Sequence, residues 1–444
     1  MSELFGTDGV RGIANEFLTA DLAMKIGRAA CETLKKNNHE VLFVIGKDTR
    51  ISGDMIENAL CAGIMSQGGN VIKLGVTPTP AVAVMTRYLN ASAGVVISAS
   101  HNPYEHNGIK FFSSEGLKLP DEAEDRIENL IYGNFEYNKD KVGFEKHIKN
   151  ADKIYSDFII SCADIKFDDL KLVIDCSNGA TVQSAKKIFK ELMPKAIFIG
   201  NKPNGININK NCGSTSLKAL QEAVIKNKAH GGLAFDGDGD RFLAVDEKGE
   251  MLDGDKIMYI IAKDLKKSGK LLNNCVAATV MSNLGFFKAL EAVDIKSVQT
   301  KVGDRYVIES MNANNYVLGG EQSGHIIIKE FNSTGDGLLT AVRFLCAVKR
   351  SGSSIRQCNM EYENYPQVLI NVSVSNAKKK ELSSDEIILK AVTDAENALA
   401  GSGRVLLRPS GTEALVRVMI EGKDYDEINT YANIIANVVK ERLG

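Results

Sequence analysis

The chain has 444 residues, enough for about three domains of roughly 150 residues each and for a sizeable core in every one. It is 44% hydrophobic and 25% charged with a net charge of −2; acidic and basic residues mix along its length, which leaves no basic footprint for nucleic acid. No run approaches the roughly 20 apolar residues that span a bilayer, MSELFGTDGVRG carries no signal-peptide hydrophobic region, and the 8 cysteines form no C-x-x-C pair, so reduced, structural thiols in a cytoplasmic protein are expected.

In chain order, Thr19 is a plausible N-cap for a helix whose Leu22, Ile26, Ala30 and Leu34 share one face. The continuous apolar run 41–46 (VLFVIG) predicts a buried strand. A helical stretch from Gly53 to about Gln67 and a second strand at 71–75 complete a βαβ-like succession, which calls for a partly parallel sheet. A third apolar run, Val95 to Ile97, stops abruptly at Ser98-Ala99-Ser100-His101-Asn102-Pro103. Apolar strands running into polar or Gly-rich loops recur at 170–180, 231–249 and 275–283, a loose echo that hints at duplicated α/β domains. In open α/β sheets, such strand ends are where ligands sit. Beyond a boundary at Tyr365-Pro366 the pattern changes to an alternating strand (367–374), a helix (385–399), a strand-rich stretch (404–422) and a helix from about Asp424, predicting a small α+β domain.

The strongest chemical signal is DGDGDR at 236–241. Glycines let the backbone curl so that Asp236, Asp238 and Asp240 converge, and a hard cation such as Mg2+ takes oxygen ligands. An EF-hand reading, with Glu247 at the twelfth position, conflicts with Arg241 where that loop needs glycine and with flanks that read as strands. Ser100 beside His101 lacks a G-x-S-x-G elbow, and adjacent residues seldom form a nucleophile–base pair. A serine carrying a phosphoryl group needs instead a cation, donors for phosphate oxygens and a proton-shuttling group; the aspartates, His101, Arg241 and Lys110 are available. RPSGTEALVR (408–417) offers two guanidinium groups, two hydroxyls and the amides of a turn, a set suited to phosphate. GGEQSGH (319–325) is a glycine-bounded polar loop of the kind that binds sugar hydroxyls or an amine.

Together and in this order, SASHNPYEHNGIK, DGDGDR, GEQSGH and RPSGTE resemble the α-D-phosphohexomutase superfamily along essentially the whole chain. FGTDGVRG (5–12) and KVGDRYV (301–307) are similar to its amino-sugar branch. The resemblance implies an α/β fold of three related α/β domains with mixed, partly parallel sheets plus a smaller C-terminal α+β domain around a central cleft. The expected divisions are 1–150 (phosphoserine loop), 151–252 (metal loop), 253–365 (sugar loop) and 366–444 (phosphate-binding domain). It also implies that Ser100 is a phosphoserine, whose phosphate holds Mg2+ together with Asp236, Asp238 and Asp240. Glu321, Ser323 and His325 would bind the sugar, and Arg408, Ser410, Gly411, Thr412 and Arg417 the phosphate that is not reacting. Lys110 and His325 would transfer protons, Arg11, His101 and Arg241 would support the phosphoryl group, and Asp304 and Arg305 would line the cleft.

The expected reaction interconverts glucosamine 6-phosphate and glucosamine 1-phosphate through a 1,6-bisphosphate intermediate and activator, upstream of UDP-N-acetylglucosamine and cell-wall synthesis. Glucose or mannose phosphates acted on by the same mechanism are the alternative. The expected partner is a small sugar phosphate, without nucleic acid or membrane, in a monomer or homodimer. The chain departs from the family pattern at His106, where an acidic or other polar residue is common, and at Ala414, where proline is common. Neither removes a group with a chemical role.

Overall fold

The computed structural model describes residues 4–6, 9–35, 40–133, 138–410 and 414–444. The chain divides into two compact units: residues 1–281 with 295–360, and residues 282–294 with 361–444. Among the described residues no helix is long and apolar enough to cross a membrane.

The first unit contains three mixed sheets. In the first, Leu42–Lys47 pairs in parallel with Asn70–Val76 on one side and Ala93–Ile97 on the other. The chain then reverses, and His106–Ser113 pairs antiparallel with Ala93–Ile97. Val10–Ile13 closes that edge and Glu145–His147 the other. The second sheet repeats this core. Leu172–Asp175 is parallel to Ile197–Ile199 and to Gly231–Phe235, and Phe242–Asp246 folds back antiparallel on Gly231–Phe235. The third does so again, with Cys275–Thr279 parallel to Lys296–Thr300 and Leu318–Gly320, and Ile326–Ile328 antiparallel to Leu318–Gly320. The echo seen in the sequence is thus a repeated strand order. In each copy the chemical motif occupies the same place, the turn of the antiparallel pair: residues 98–105, 236–241 and 321–325.

The local reasons are those read from the residues. Thr19 caps the helix Ala20–Leu34, its Oγ1 accepting the Leu22 amide at 3.2 Å. Val95, Val96 and Ile97 are fully or almost fully buried, in line with a central strand that has no polar face. Helix Gly53–Ser66 ends where Gly68 and Gly69 interrupt it.

The second unit holds a three-stranded antiparallel sheet ordered Gln367–Ser373, Leu415–Gly422, Gly403–Pro409. Helices Glu386–Leu399 and Tyr425–Leu443 cover it, with Ile388, Leu399, Ile428, Ile435 and Val439 buried against Val416, Val418 and Ile420. It also takes in the helix Leu284–Ala292, far earlier in the chain. Buried Glu421 makes that connection, accepting the Leu284 amide at 2.9 Å, the Asn283 amide group at 3.2 Å and Arg404 Nε at 2.8 Å.

Candidate active site

The loop after Ala93–Ile97 presents Ser100 in the left-handed region, φ 48°, and 2% exposed. For a side chain with a Cβ that conformation costs on the order of 1–2 kcal/mol, so the surroundings must hold it. They do so at both ends of the residue. The Ser100 amide donates to Ser98 Oγ at 2.9 Å, and Ser98 Oγ donates to Asp48 Oδ2 at 2.5 Å. The Ser100 carbonyl accepts Arg50 Nη2 at 2.9 Å and Asn209 Nδ2 at 2.8 Å. Held this way, Ser100 Oγ donates to Asp236 Oδ2 at 2.6 Å, with His101 Nδ1 at 3.4 Å.

The turn 236–241 brings Asp236, Asp238 and Asp240 together, each with a carboxylate oxygen within 4.8 Å of the others and all three buried. Two ionised carboxylates at that distance repel by about 3.5 kcal/mol at an effective dielectric near 20. Several donors offset part of this. Asp236 Oδ1 accepts the Gly239 and Arg241 amides, both at 3.1 Å, and Asp238 Oδ2 accepts Thr79 Oγ1 at 2.6 Å. Helix N-termini also point at the turn: the Thr79 amide donates to the Asp238 carbonyl at 2.9 Å and the Gly337 amide to the Gly239 carbonyl at 3.0 Å. Even so, burial and the neighbouring aspartates push Asp236 well above the usual carboxylate range, and burial with Asp240 pushes Asp238 up. Asp240 goes the other way: burial would raise it, but His325, Arg241 and Lys110 hold it low. Asp238 Oδ1 and Asp240 Oδ1 remain buried without a hydrogen-bond partner. Clustered carboxylates with two orphaned oxygens are the donor set of a hard divalent cation.

Around this centre the structure places the other expected residues unevenly. Lys110, opposite Val96 in the strand register, is buried with Nζ 4.0 Å from Asp304 Oδ2. Arg11 lies opposite Gly108 on the neighbouring strand. Arg241 Nε is 4.0 Å from Asp240 Oδ1. His325 turns inward, Nδ1 3.4 Å from Asp240 Oδ2 and Nε2 3.9 Å from Asp304 Oδ2. Burial opposes a charged ring there, but Asp240 and then Asp304 draw its pKa up to about 9. The Gly335 amide pulls towards the neutral form, since it donates to Nε2 at 3.2 Å and a protonated Nε2 could not accept it. A neutral ring in this arrangement carries its proton on Nδ1, the nitrogen that faces Asp240. Gly335 permits the contact: a Cβ there would lie 2.4 Å from Nε2.

Glu321 and Ser323 stand in the third equivalent turn, Glu321 Oε1 accepting the Gly303 amide at 3.1 Å and Ser323 Oγ donating to Oε2 at 3.4 Å. Asp304, at the start of helix Asp304–Asn314, faces Lys110 and His325. Arg305 does not share that direction; it pairs with Glu309 at 2.8 Å and with Asp121. Glu247 is directed away from the aspartates, accepting Ser354 Oγ at 2.9 Å and the Arg356 amide at 3.1 Å, which removes the EF-hand reading.

In the C-terminal unit Arg408 and Arg417 are cross-strand partners. Burial and the facing Arg417 both lower the Arg408 pKa, as expected of two like charges opposite each other on a ladder. The Ser410 amide donates to the Leu415 carbonyl at 2.9 Å, and Lys379 Nζ donates to the Ser410 carbonyl at 2.8 Å. Gly411 and Thr412 lie outside the described residues.

Sequence reasoning missed Asp48, Arg50, Thr79, Ser98 and Asn209. The signal for the first two was the charged cluster Lys47, Asp48 and Arg50 at the end of the apolar run 41–46, in VLFVIGKDTR.

A serine seated on an acidic cation site, with a separate arginine pair suited to phosphate, defines a phosphoryl-transferring enzyme. The family models agree: Phosphoglucomutase/phosphomannomutase alpha/beta/alpha domains I, II and III match residues 2–138, 147–249 and 253–365, and the C-terminal domain matches 369–438. The chain belongs to this family and is an isomerase.

A phosphoglucosamine mutase from Thermoanaerobacter pseudethanolicus is 52% identical over 446 residues, covering 100% of both chains. Kinship at that level, end to end, is with the phosphoglucosamine mutases. Among solved structures, a phosphoglucomutase/phosphomannomutase family protein from Burkholderia thailandensis matches with TM-score 0.81 at 22% identity, covering 100% of this chain and 98% of the other. N-acetylphosphoglucosamine mutase from Aspergillus fumigatus, in complex with GlcNAc-6P and magnesium, matches with TM-score 0.74 at 17% identity, over 100% and 96%. At those identities the likeness is one of fold.

Proposed function

We propose that the chain interconverts glucosamine 6-phosphate and glucosamine 1-phosphate with Ser100 as the phosphoryl carrier. The observation that carries this reading is the 2.6 Å hydrogen bond from Ser100 Oγ to Asp236, inside a carboxylate cluster with two orphaned oxygens. Phospho-Ser100 gives its phosphoryl group to the C1 hydroxyl of glucosamine 6-phosphate, leaving serine and the 1,6-bisphosphate. After the bisphosphate turns over, its 6-phosphoryl group returns to Ser100 and glucosamine 1-phosphate leaves. No phosphate is gained or lost over the cycle, and a sugar 1,6-bisphosphate can load an unphosphorylated chain by the same step.

Asp236, Asp238 and Asp240, with Ser100, would hold Mg2+, which offsets charge on the transferring group when bound. The chain's own residues do the positioning. Lys110 and His325 serve the proton of the acceptor and leaving hydroxyls, while Arg11, His101 and Arg241 neutralise phosphoryl oxygens. Glu321 and Ser323, with Asp304, bind the sugar, and the amine is the partner suited to the Glu321 carboxylate; Arg305, held by Glu309 and Asp121, stays outside that set. Arg408, Ser410 and Arg417, with Gly411 and Thr412, take the phosphate that is not reacting. A four-domain division at 1–150, 151–252, 253–365 and 366–444 belongs to the same reading. So does a cytoplasmic monomer or homodimer, which the 8 buried free cysteines suit.

The test is kcat/KM for glucosamine, glucose and mannose 6-phosphates side by side, with Mg2+ and a trace of sugar bisphosphate. A preference for the amino sugar of tenfold or more, about 1.4 kcal/mol of transition-state binding, is expected. A preference for glucose or mannose would overturn the substrate and keep the mechanism. Ser100→Ala is expected to abolish turnover while leaving the fold intact; near wild-type rates in a preparation free of host enzyme would sink the phosphoserine.

A further inference from the structure

The Ser100 backbone is gripped from two sides by side chains that no motif includes. Arg50 Nη2 donates to the Ser100 carbonyl at 2.9 Å and to the Asn102 carbonyl at 2.8 Å, and Nη1 reaches the Pro103 carbonyl. Asn209 Nδ2 donates to the same two carbonyls, Ser100 at 2.8 Å and Asn102 at 3.1 Å. Two donors from segments 159 residues apart (209 − 50) thus share one pair of acceptors.

Both donors are themselves anchored. The Arg50 amide and Nε donate to Asp48 Oδ1 and Oδ2 at 2.9 and 2.8 Å, and the Arg50–Asp48 side chains have no solvent exposure. The Asn209 amide donates to the Ser177 carbonyl at 2.9 Å, and Ser177 Oγ donates to the carbonyl of Asp236 at 2.8 Å. One side of the grip therefore leads to the backbone of the aspartate that receives the Ser100 hydroxyl. Gly237 leaves room for it, since a Cβ there would meet the Ser100 carbonyl at 2.5 Å and Asn209 Nδ2 at 2.8 Å.

We propose that Arg50 and Asn209 are paired positioning residues that hold the Ser100 loop in its left-handed conformation, so that the serine presents one fixed seat to both phosphoryl transfers of a turnover. The inference rests on the phosphoserine reading above. A left-handed serine released from its carbonyl partners relaxes to negative φ, which swings Cβ and Oγ off the transfer line. Substrate binding is left intact, because neither side chain belongs to the sugar or phosphate loops. Loss of the grip is therefore a loss of rate and not of affinity. Since both residues act on the same two carbonyls, their losses are non-additive.

The test loads the full chain with glucose 1,6-bisphosphate, reads Ser100 occupancy by intact mass, and follows single-turnover transfer to glucosamine 6-phosphate beside KM and the melting curve. Arg50→Lys keeps a charge beside Asp48 with a single donating nitrogen, and Asn209→Ala leaves Arg50 and Asp48 untouched. The expected result is transfer slowed on the order of 10- to 100-fold in each, KM within about threefold, and a double variant slowed by less than the product of the two. Transfer within twofold of wild type in Asn209→Ala, or a KM that rises in step with the lost rate, overturns the grip. A wild-type chain that loads no phosphoryl group on Ser100 overturns the phosphoserine reading itself, so the two failures are distinguishable.

Discussion

The aspartate turn and the C-terminal arginine pair are opposites in charge and alike in design. Asp236, Asp238 and Asp240 are buried on a six-residue turn whose geometry is set by glycines and by helix N-termini. Arg408 and Arg417 sit opposite each other on a regular antiparallel ladder and are partly open to water. Like charges face one another in each set, and in the reading proposed above a cation would balance the first and a phosphate the second. The difference lies in what the fold spends on them. The carboxylates are desolvated and held by many partners, which suits a site where charge moves during reaction. The arginines are brought face to face by strand register, which suits a site that binds the same group in either of two substrate orientations.

That contrast breaks most sharply in the kinetics. Asp240→Asn is expected to lower kcat by roughly a thousandfold with KM changed only a few-fold, in steady-state assays with saturating Mg2+; a kcat within tenfold of wild type would remove Asp240 from the reacting centre. Arg417→Ala has the reverse signature. Losing charge-assisted bonds to phosphate costs about 1.5–3 kcal/mol, so KM for the sugar phosphate rises roughly 10- to 100-fold while kcat holds within a few-fold. An unchanged KM would free the arginine pair for another purpose.

Metal removal sharpens the comparison by melting. Cation at a hundred times its Kd stabilises by about 2.7 kcal/mol, so chelation lowers the transition of the larger unit by a few degrees and Mg2+ restores it. Arg417→Ala should retain that response and Asp240→Asn should lose it; a chelation shift in both alike would place the cation elsewhere. The smallest effect concerns Glu421, whose pKa burial raises against the pull of Arg404 and the Leu284 amide. A carboxyl raised on folding stabilises below its unfolded value, and that contribution is lost as pH climbs through the folded one. Melting of the C-terminal unit should therefore fall by about a degree as pH rises out of the ordinary glutamate range, and Glu421→Gln should flatten the slope. A steeper fall in that variant would reverse the sign assigned to Glu421.

Legibility in the sequence followed range. The Thr19 cap, the helix 53–66 and the alternating strand 367–373 depend on neighbours within one or two turns, and they stand where their periodicity put them. The aspartate turn was readable because its three carboxylates and their glycines are contiguous. The assignment of residues 282–294 to the C-terminal unit was not readable, since it depends on Glu421 meeting Leu284, 137 positions away. Arg305 shows the converse: it adjoins Asp304 in the sequence, yet helix geometry sends it to Glu309 four residues on while Asp304 faces Lys110.

By itself the sequence determined the α/β class, the four chemical motifs and the residue types that could carry phosphate, cation and sugar, because those depend on local pattern and side-chain chemistry. Only the tertiary structure decided that the three α/β motifs occupy one equivalent turn of a repeated sheet. It alone gave Ser100 its positive φ and let Arg50 and Asn209 converge on its carbonyl. Hydrogen bonds between residues 50 to 159 positions apart leave no periodic trace in a chain; they exist only once folding has buried the donors and left them no water to turn to.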